Sequence, residues 1–279
     1  MFDSHCHLDF EPLSSELGHH LSEAWVRGVR GWFVPGCFPN QWLTLQKLRK
    51  RLLEGEFSLF SPGQVTSPGK ANCSPSIYFG AGLHPYWSEA KTDIDKLCSQ
   101  LAEACVGLDS IAIGECGLHR GKGAPLEVQQ KLFEAQLQVA HELDLPIVIH
   151  EVGARSELLQ SIARVGMPRA GAVVHGFGGS VQWGEALIAR GALLGIGPAV
   201  TRPQRKKLRN AVCELPLESF VLETDAPDQR IWNSHTKARP VDLLAVCACV
   251  AQLRHVTPSE VAFCSDKQAR SLFQIKNLG

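Results

Sequence analysis

Eight short apolar runs, each followed by a segment with helical spacing, are the feature that most limits how this chain can fold. The runs occupy residues 2–7, 31–36, 77–82, 110–115, 146–150, 171–177, 192–197 and 220–225. They are rich in β-branched residues, which favours strands. Most are apolar throughout, as expected of parallel strands that are buried on both faces.

The segments between these runs have the spacing of amphipathic helices. In residues 126–143, for example, Leu126, Phe133, Leu137 and Ala140 recur at intervals that place them on one helix face. Eight strand–helix units in order over 279 residues favour a (β/α)₈ TIM barrel over a doubly wound sheet. We therefore expect an α/β fold with one barrel domain over 1–279.

Residues 54–76 fit this alternation poorly. The segment is rich in Ser, Pro and Gly and is longer than an ordinary connection. It lies between the second helix and the third strand, on the N-terminal face of the barrel. We expect a flexible surface loop or a contact surface there.

Charge and cysteine content exclude several classes of protein. Lys plus Arg equals Asp plus Glu, at 28 each, so any anionic partner must be held locally. The ten cysteines include no C-x-x-C pair, which favours reduced core residues over a disulfide framework. With no stretch of 18 apolar residues, we expect a soluble cytoplasmic protein without membrane contact.

The first apolar run contains two histidines one residue apart, His5 and His7. On a regular strand through residues 2–10, alternate side chains share a face, so both imidazoles should point the same way. Taken alone, such a pair is also explained by a buried histidine pair or by a solvated strand face. The rest of the chain must decide between these interpretations.

Further histidines and acids follow the other strands. The complete set is His5, His7, His84, Glu115, His150, His175 and Asp225. Because TIM-barrel active sites form at the C-terminal ends of the strands, these side chains should converge at one mouth. Imidazole and carboxylate ligands together suit a divalent ion such as Zn²⁺, Mn²⁺ or Mg²⁺. All except His84 are predicted metal ligands.

Six ligands exceed what one open catalytic ion needs, which favours two ions. Glu115 lies midway around the barrel between the first two histidines and the last two, so we expect it to bridge the ions. Two adjacent ions polarise an electrophile and lower the pKa of a bound water, which is the chemistry of hydrolysis. Asp225 is placed to bind metal and to accept a proton from that water. Asp225 and Glu115 are therefore the predicted catalytic residues.

Six motifs resemble those of one family. They are DSHCHLD (3–9), GLHP (82–85), IGECGL (113–118), a Q-x-x-x-F-x-x-Q run ending in L-P-x-x-I-H (129–150), VVHGFGGS (173–180) and LETDAP (222–227). Together they resemble the TatD family of metal-dependent hydrolases and deoxyribonucleases, relatives of the amidohydrolase barrels. The resemblance implies metal-assisted cleavage of DNA phosphodiesters by water.

The resemblance also divides the ligands between two ions. It implies one ion held by His5, His7, Glu115 and Asp225, and a second held by Glu115, His150 and His175.

The chain departs from the family pattern around these ligands. His119 stands where the family usually has an aspartate, and Val152 stands where it commonly has an arginine. Residues 237–239 read Lys-Ala-Arg in place of arginine, asparagine and glutamate. None of these departures changes a predicted metal ligand. They bear instead on which substrate the protein accepts. We expect His84, His119 and Arg239 to contact substrate.

A basic segment, TRPQRKKLRN (201–210), follows the seventh strand at the predicted mouth. It carries five cations within eight residues: Arg202, Arg205, Lys206, Lys207 and Arg209. One interpretation is a phosphate-binding rim, with Arg202, Arg205 and Lys206 on the substrate. The other is the solvated first turn of a helix.

Three functions are compatible with these patterns. The first is a two-metal phosphodiesterase that acts on DNA or another nucleic acid. The second is a hydrolase of a small ester or amide, or of an acyl ester on RNA, because the same ions polarise a carbonyl. The third, a non-catalytic metal-binding barrel, is least favoured because a structural site is normally closed. For the oligomeric state, a monomer is favoured.

Overall fold

The computed structural model describes residues 1–57 and 75–275. Within these ranges, eight parallel strands form one sheet in chain order. They are β1 (Phe2–Asp3), β2 (Gly31–Val34), β3 (Ser76–Ala81), β4 (Ala112–His119), β5 (Ile147–Val152), β6 (Ala172–Val174), β7 (Ala192–Ile196) and β8 (Phe220–Leu222). Ser4 N donates to Leu222 O (3.0 Å) and joins the first strand to the last. The sheet is therefore a nearly closed barrel, as predicted.

Helices alternate with the strands along the described chain. They are α1 (Leu17–Val26), α2 (Pro39–Leu53), α3 (Ile94–Leu108), α4 (Leu126–Glu142), α5 (Arg155–Val165), α6 (Val181–Ile188), α7 (Lys206–Glu214), α8 (Leu243–Arg254) and α9 (Pro258–Leu272). Short 3₁₀ helices include Pro85–Trp87, Pro198–Thr201 and Pro240–Asp242. This order confirms the predicted (β/α)₈ alternation, with α9 as an additional helix.

The barrel interior is filled with apolar side chains at its N-terminal end. Each strand contributes one residue to this cluster: Phe2, Phe33, Tyr78, Ala112, Val148, Val173, Leu193 and Val221. Phe273, which follows α9, stacks on Phe33 with the ring centroids 4.8 Å apart and closes the cluster from below. The interior therefore leaves room for polar side chains only towards the C-terminal ends of the strands.

Several strand bounds differ from those predicted. The first strand ends at Asp3, and the following residues bond to the segment after β8: Asp225 N donates to His5 O and His7 N to Ala226 O, both at 2.8 Å. The expected regular alternation through residues 2–10 is therefore wrong, because non-local bonds fix this backbone. Strand β4 extends to His119, beyond the predicted end at 115. Of the predicted loop 54–76, residues 58–74 lie outside the described ranges.

The described cysteines are free thiols. Nine cysteines lie in the described ranges, and none of these is in a disulfide. Five of them are buried: Cys6, Cys37, Cys105, Cys116 and Cys247.

Over the described ranges, no single helix is long and apolar enough to cross a membrane. One pair of helical segments passes the test of length and hydropathy when taken together, but the two are bent by 112° relative to each other: Pro240–Arg254 and Pro258–Leu272.

Candidate metal centre

Glu115 lies at the centre of the mouth because β4 bulges at this point. The pairing of β4 with β5 shifts register between Ile113 and Cys116. Gly114 has φ +139°, and a Cβ there would lie 2.8 Å from Val148 O, so the bulge requires glycine. Glu115 N donates to Gly36 O (2.8 Å), which fixes the bulge against the end of β2. The carboxylate is only 2% exposed.

One oxygen of Glu115 faces the later strands. Oε1 lies 2.7 Å from His175 Nε2 and 2.9 Å from His150 Nδ1. These two nitrogens are themselves 3.1 Å apart. Since His150 lies within β5 and His175 follows β6, neighbouring strands bring both imidazoles to one side of the carboxylate.

The other oxygen of Glu115 faces the first and last strands. Oε2 lies 3.2 Å from His5 Nε2 and 3.7 Å from His7 Nε2. Asp225 Oδ1 lies 3.5 Å from His7 Nε2 and 3.7 Å from His5 Nε2. The side chains predicted as metal ligands are thus brought together, with one oxygen of Glu115 directed to each group.

Asp225 is held in an uncommon backbone conformation. Its φ is +49°, in the left-handed region that Asp tolerates better than most residues. Next to it, Thr224 donates from N (2.9 Å) and Oγ1 (2.6 Å) to the carboxylate of Asp3. Burial raises the pKa of Asp3 to about 8. Asp3 therefore ties the two chain segments together below the site and does not face the mouth.

The charge states of the cluster suit a divalent ion. Burial opposes ionisation of Glu115 and Asp225, but the surrounding histidines outweigh it, holding the pKa of Glu115 well below its usual range and that of Asp225 at about 2. Burial lowers the pKa of His5, and lowers that of His150 to about 4. Ionised carboxylates and neutral imidazoles are the forms that bind metal. The residues present therefore fit a divalent-metal centre.

The other two predicted histidine ligands have pKa values above that of a free imidazole. Burial opposes protonation of His7 and His175, but Asp225 and Glu115 outweigh it and raise the pKa of both imidazoles. A divalent cation would displace these protons, which couples metal binding to proton release.

A sequence model for the family described as TatD related DNase matches residues 2–274. The chain belongs to the TatD family. It is accordingly a metal-dependent hydrolase that acts on ester bonds, as the six motifs predicted.

Relatives in the TatD family match along nearly the full chain. The metal-dependent hydrolase YjjV of Escherichia coli K12 is 31% identical over 275 residues, covering 98% of this chain and 97% of that protein. A protein of Salmonella typhimurium named 3'-5' ssDNA/RNA exonuclease TatD is 28% identical, covering 99% of each. The crystal structure of the E. coli TatD homologue YjjV superimposes with a TM-score of 0.82 at 29% identity, covering 99% of this chain and 98% of that one.

His84 lies beside the ligands but has a different bonding pattern. Its Nε2 is 3.2 Å from Glu115 Oε1, within reach of an ion on that side. However, its Nδ1 accepts a hydrogen bond from Tyr86 N (3.1 Å), so a neutral ring must carry its proton on Nε2. His84 is therefore placed as a hydrogen-bond donor into the site, and its predicted contact with substrate stays a prediction.

His119, at the position where the family usually has an aspartate, contacts a predicted ligand. Its Nδ1 lies 2.9 Å from His150 Nε2, and the two rings are stacked within 19° of parallel. Because Nδ1 of His150 faces Glu115, this bond engages the opposite nitrogen and fixes the orientation of the ring. His119 therefore supports His150 in this structure, and its predicted contact with substrate stays a prediction.

The predicted cations do not reach the metal cluster. The pocket over it encloses about 210 Å³ and is lined by His7, Phe10, Cys37, His84, Tyr86, Trp87, Glu115, His150, His175, Asp225 and Asp228. Arg202 and Arg205 flank the start of α7, and Lys206 lines a separate groove between α6 and α7. Arg239 is paired with Glu23 at 3.2 Å.

Sequence reasoning missed the buried glutamines that hold the loops around the site. Gln136 on α4 accepts from Leu83 N (2.7 Å) and donates to Leu83 O (3.2 Å), which fixes the segment that carries His84. Gln129 lies two helix turns earlier on α4. It accepts from His119 N (2.8 Å) and donates to His119 O (3.1 Å). Both belong to the 129–150 motif, and their spacing of seven residues on one helix face was the available signal.

Two further supports also escaped prediction. Glu223 is fully buried, accepts from Gly176 N (2.6 Å) and lies 3.7 Å from His175 Nδ1, on the side of the ring away from Glu115. Gln41 accepts from Cys37 N (2.6 Å) and donates to Asp9 (2.7 Å). These side chains position the segments after β1, β2 and β6, of which the first and the last carry predicted metal ligands.

Proposed function

We propose that this protein is a two-metal phosphodiesterase that cleaves single-stranded nucleic acid. The observation that carries the proposal is the position of the Glu115 carboxylate, whose Oε2 lies near His5 and whose Oε1 lies near His150 and His175. Relatives named as 3'-5' ssDNA/RNA exonucleases support the substrate class. The mixed nitrogen and oxygen ligands suit Zn²⁺, Mn²⁺ or Mg²⁺.

One ion would be held by His5, His7, Asp225 and Oε2 of Glu115, and the second by His150, His175 and Oε1 of Glu115. When bound, the ions polarise the phosphoryl group and make the attacking water more acidic. Among the residues that the structure describes, the pocket lining includes Glu115, Asp225 and Asp228 but neither lysine nor arginine. A phosphate therefore needs bound cations in order to enter.

Asp225 is the proposed general base. Its Oδ2 accepts from Gln229 Nε2 (2.9 Å), whereas Oδ1 faces His5 and His7. With its pKa held at about 2, the carboxylate is ionised at neutral pH and accepts the proton of the attacking water at Oδ1. His84 keeps a proton on Nε2 and donates it in a hydrogen bond to a phosphate oxygen.

Hydrolysis of a small ester, or of an acyl ester on RNA, is the second candidate. The observation that favours it is the size of the pocket, since 210 Å³ lies below the roughly 300–1,000 Å³ typical of sites that enclose a whole ligand. The cations of the 201–210 segment also lie outside this pocket.

A substrate panel separates the two candidates. Purified protein reconstituted with metal is incubated with labelled single-stranded DNA, duplex DNA, RNA and an aryl ester, beside a metal-free control. The proposed function predicts the highest kcat/KM on a single strand. Cleavage of the ester with no cleavage of any oligonucleotide would replace it with the second candidate.

The basic segment 201–210 gives a prediction about salt dependence. We propose that Arg205, Lys206 and Lys207, which are exposed at the start of α7, hold the backbone of a long substrate. Each phosphate contact on a single strand contributes about −0.7 to the slope of log affinity against log salt. Replacing all three by glutamine should therefore flatten the slope by up to about two units, measured by oligonucleotide binding at several salt concentrations.

A matched control has the same change in charge elsewhere. Replacement of the exposed Lys47, Lys50 and Lys131, on α2 and α4, by glutamine should leave the slope as in the wild type. A dinucleotide, too short to reach from the metals to α7, should be cleaved equally by both variants. A wild-type slope in the α7 variant would assign its cations to a solvated helix start.

We also propose that the protein acts in the cytoplasm. The proposal is supported by the nine described cysteines, which include five in the core and form no disulfide.

A further inference from the structure

Two aromatic side chains without a role in the proposed mechanism lie at the mouth of the pocket. Tyr86 and Trp87, here called the aromatic rim, are 47% and 40% exposed, and both line the pocket that contains the metal ligands. Exposing two adjacent large aromatic rings to water costs hydrophobic free energy. Such a pair at the mouth of a pocket indicates a binding surface.

The aromatic rim is built on a braced turn. Tyr86 and Trp87 belong to the 3₁₀ helix Pro85–Trp87, where Tyr86 N donates to His84 Nδ1 (3.1 Å). Ser88 Oγ donates to Pro85 O (2.6 Å) and accepts from Ala124 N (3.0 Å), which ties the turn to the loop after β4. Rings presented by such a turn lose little conformational freedom when they bind a ligand.

Each ring of the aromatic rim is also supported from within the protein. The ring of Tyr86 stands perpendicular to those of His84 (centroids 4.7 Å apart, 77°) and His119 (4.8 Å, 73°). The ring of Trp87 packs against Phe38 with centroids 4.7 Å apart. Both rings are therefore fixed directly beside the histidines of the site while part of their surface stays open to solvent.

The size and charge of the pocket indicate which part of a nucleotide the rim meets. About 210 Å³ accommodates a phosphate and part of a sugar, so the attached base must lie outside, at the mouth. Among the described residues, the lining offers three carboxylates and no lysine or arginine, and Lys122 Nζ lies outside it, 5.9 Å from the centroid of the Tyr86 ring. The aromatic rim offers a face on which any base can stack.

We propose that the aromatic rim stacks against the base of the nucleotide whose phosphate is cleaved. This assignment rests on the proposed nuclease function and specifies its substrate as a single strand, because the faces of a base in a duplex are covered by its neighbours. The stacking is tolerant of sequence, since every base has a π-face.

The test replaces both rings and compares two substrates. One is a labelled single-stranded oligonucleotide, and the other is the same strand without the base at the cleaved terminal nucleotide. The double variant Tyr86→Leu, Trp87→Leu should raise KM about tenfold on the complete strand, with little change in kcat. On the strand without the base, wild type and variant should have equal KM.

Three controls keep the result interpretable. Tyr86→Phe retains the ring and should keep the wild-type KM, which shows that a ring and not the hydroxyl is needed. Trp232→Leu removes a tryptophan that is 43% exposed but does not line the pocket, and should have no effect. In the slowly cleaving Asp225→Asn background, a terminal 2-aminopurine should lose fluorescence on binding, and this loss should disappear with the leucine pair.

The outcomes separate this inference from the function on which it rests. Equal KM values for wild type and the leucine pair on the complete strand, together with unchanged 2-aminopurine fluorescence, would overturn the stacking site while leaving the nuclease intact. Absence of cleavage of every oligonucleotide by the wild type would overturn the nuclease and the stacking site together.

Discussion

Replacing Asp225 with asparagine is expected to lower kcat on single-stranded DNA by about 10²–10⁴-fold, the usual contribution of a general base. The amide has nearly the shape of the carboxylate and can keep the bond to Gln229, but it accepts no proton at neutral pH. The wild-type carboxylate is ionised there because the histidines around it hold its pKa at about 2. The measurement is kcat at saturating metal, with the melting temperature recorded for both proteins.

Asp228 provides the matched control. It lines the same pocket and is an acid three residues further on, but no ion pair joins it to the histidines in the described part of the chain. Asp228→Asn should therefore retain activity within about tenfold of the wild type. The assignment of Asp225 fails if its asparagine variant, with normal metal content, is as active as the Asp228 variant.

Replacing Glu115 with alanine is expected to remove both ions together and to reduce activity to that of the metal-free protein. Glu115 is the side chain that meets both ligand groups, through Oε1 at His150 and His175 and through Oε2 at His5. Without it, each group loses a charged ligand and the shared link that holds the two sites together. Elemental analysis of the reconstituted variant gives the number of ions per chain.

Cys37→Ala controls for disturbance of the packing around Glu115. The Cys37 thiol is buried 3.9 Å from Oε2 of Glu115, so its removal opens space at the same place without removing the carboxylate. This variant should bind as much metal as the wild type. Two ions in the Glu115→Ala variant would show that Glu115 is not the bridge.

The barrel and the position of its polar mouth were predictable because they depend on local patterns. Apolar runs alternate with helical spacing, and residues at the ends of parallel strands meet at one edge. The shared direction of His5 and His7 does not follow from strand alternation, since the strand ends at Asp3 and does not continue to residue 10. Their convergence instead comes from bonds to the segment 224–226, which is more than 200 residues away in sequence.

The residues that hold the metal ligands in place were not predictable, because their contacts join segments that are distant in sequence. The bulge at Gly114, the contact of His119 with His150 and the bonds of Gln129 to His119 join different elements, and no local pattern specifies them. The exposure of Tyr86 and Trp87 likewise follows from how one short turn is braced. Motifs identify which residue types are present, whereas their partners depend on the assembled barrel.

Titration of the metal-free protein with divalent ions, followed by the rate of single-stranded DNA cleavage, is the most direct test of a metal-dependent nuclease centred on Glu115. The account predicts no cleavage above background without metal, and a rate that rises until two ions are bound per chain. Full activity in a chelated sample shown by elemental analysis to be free of metal would contradict it.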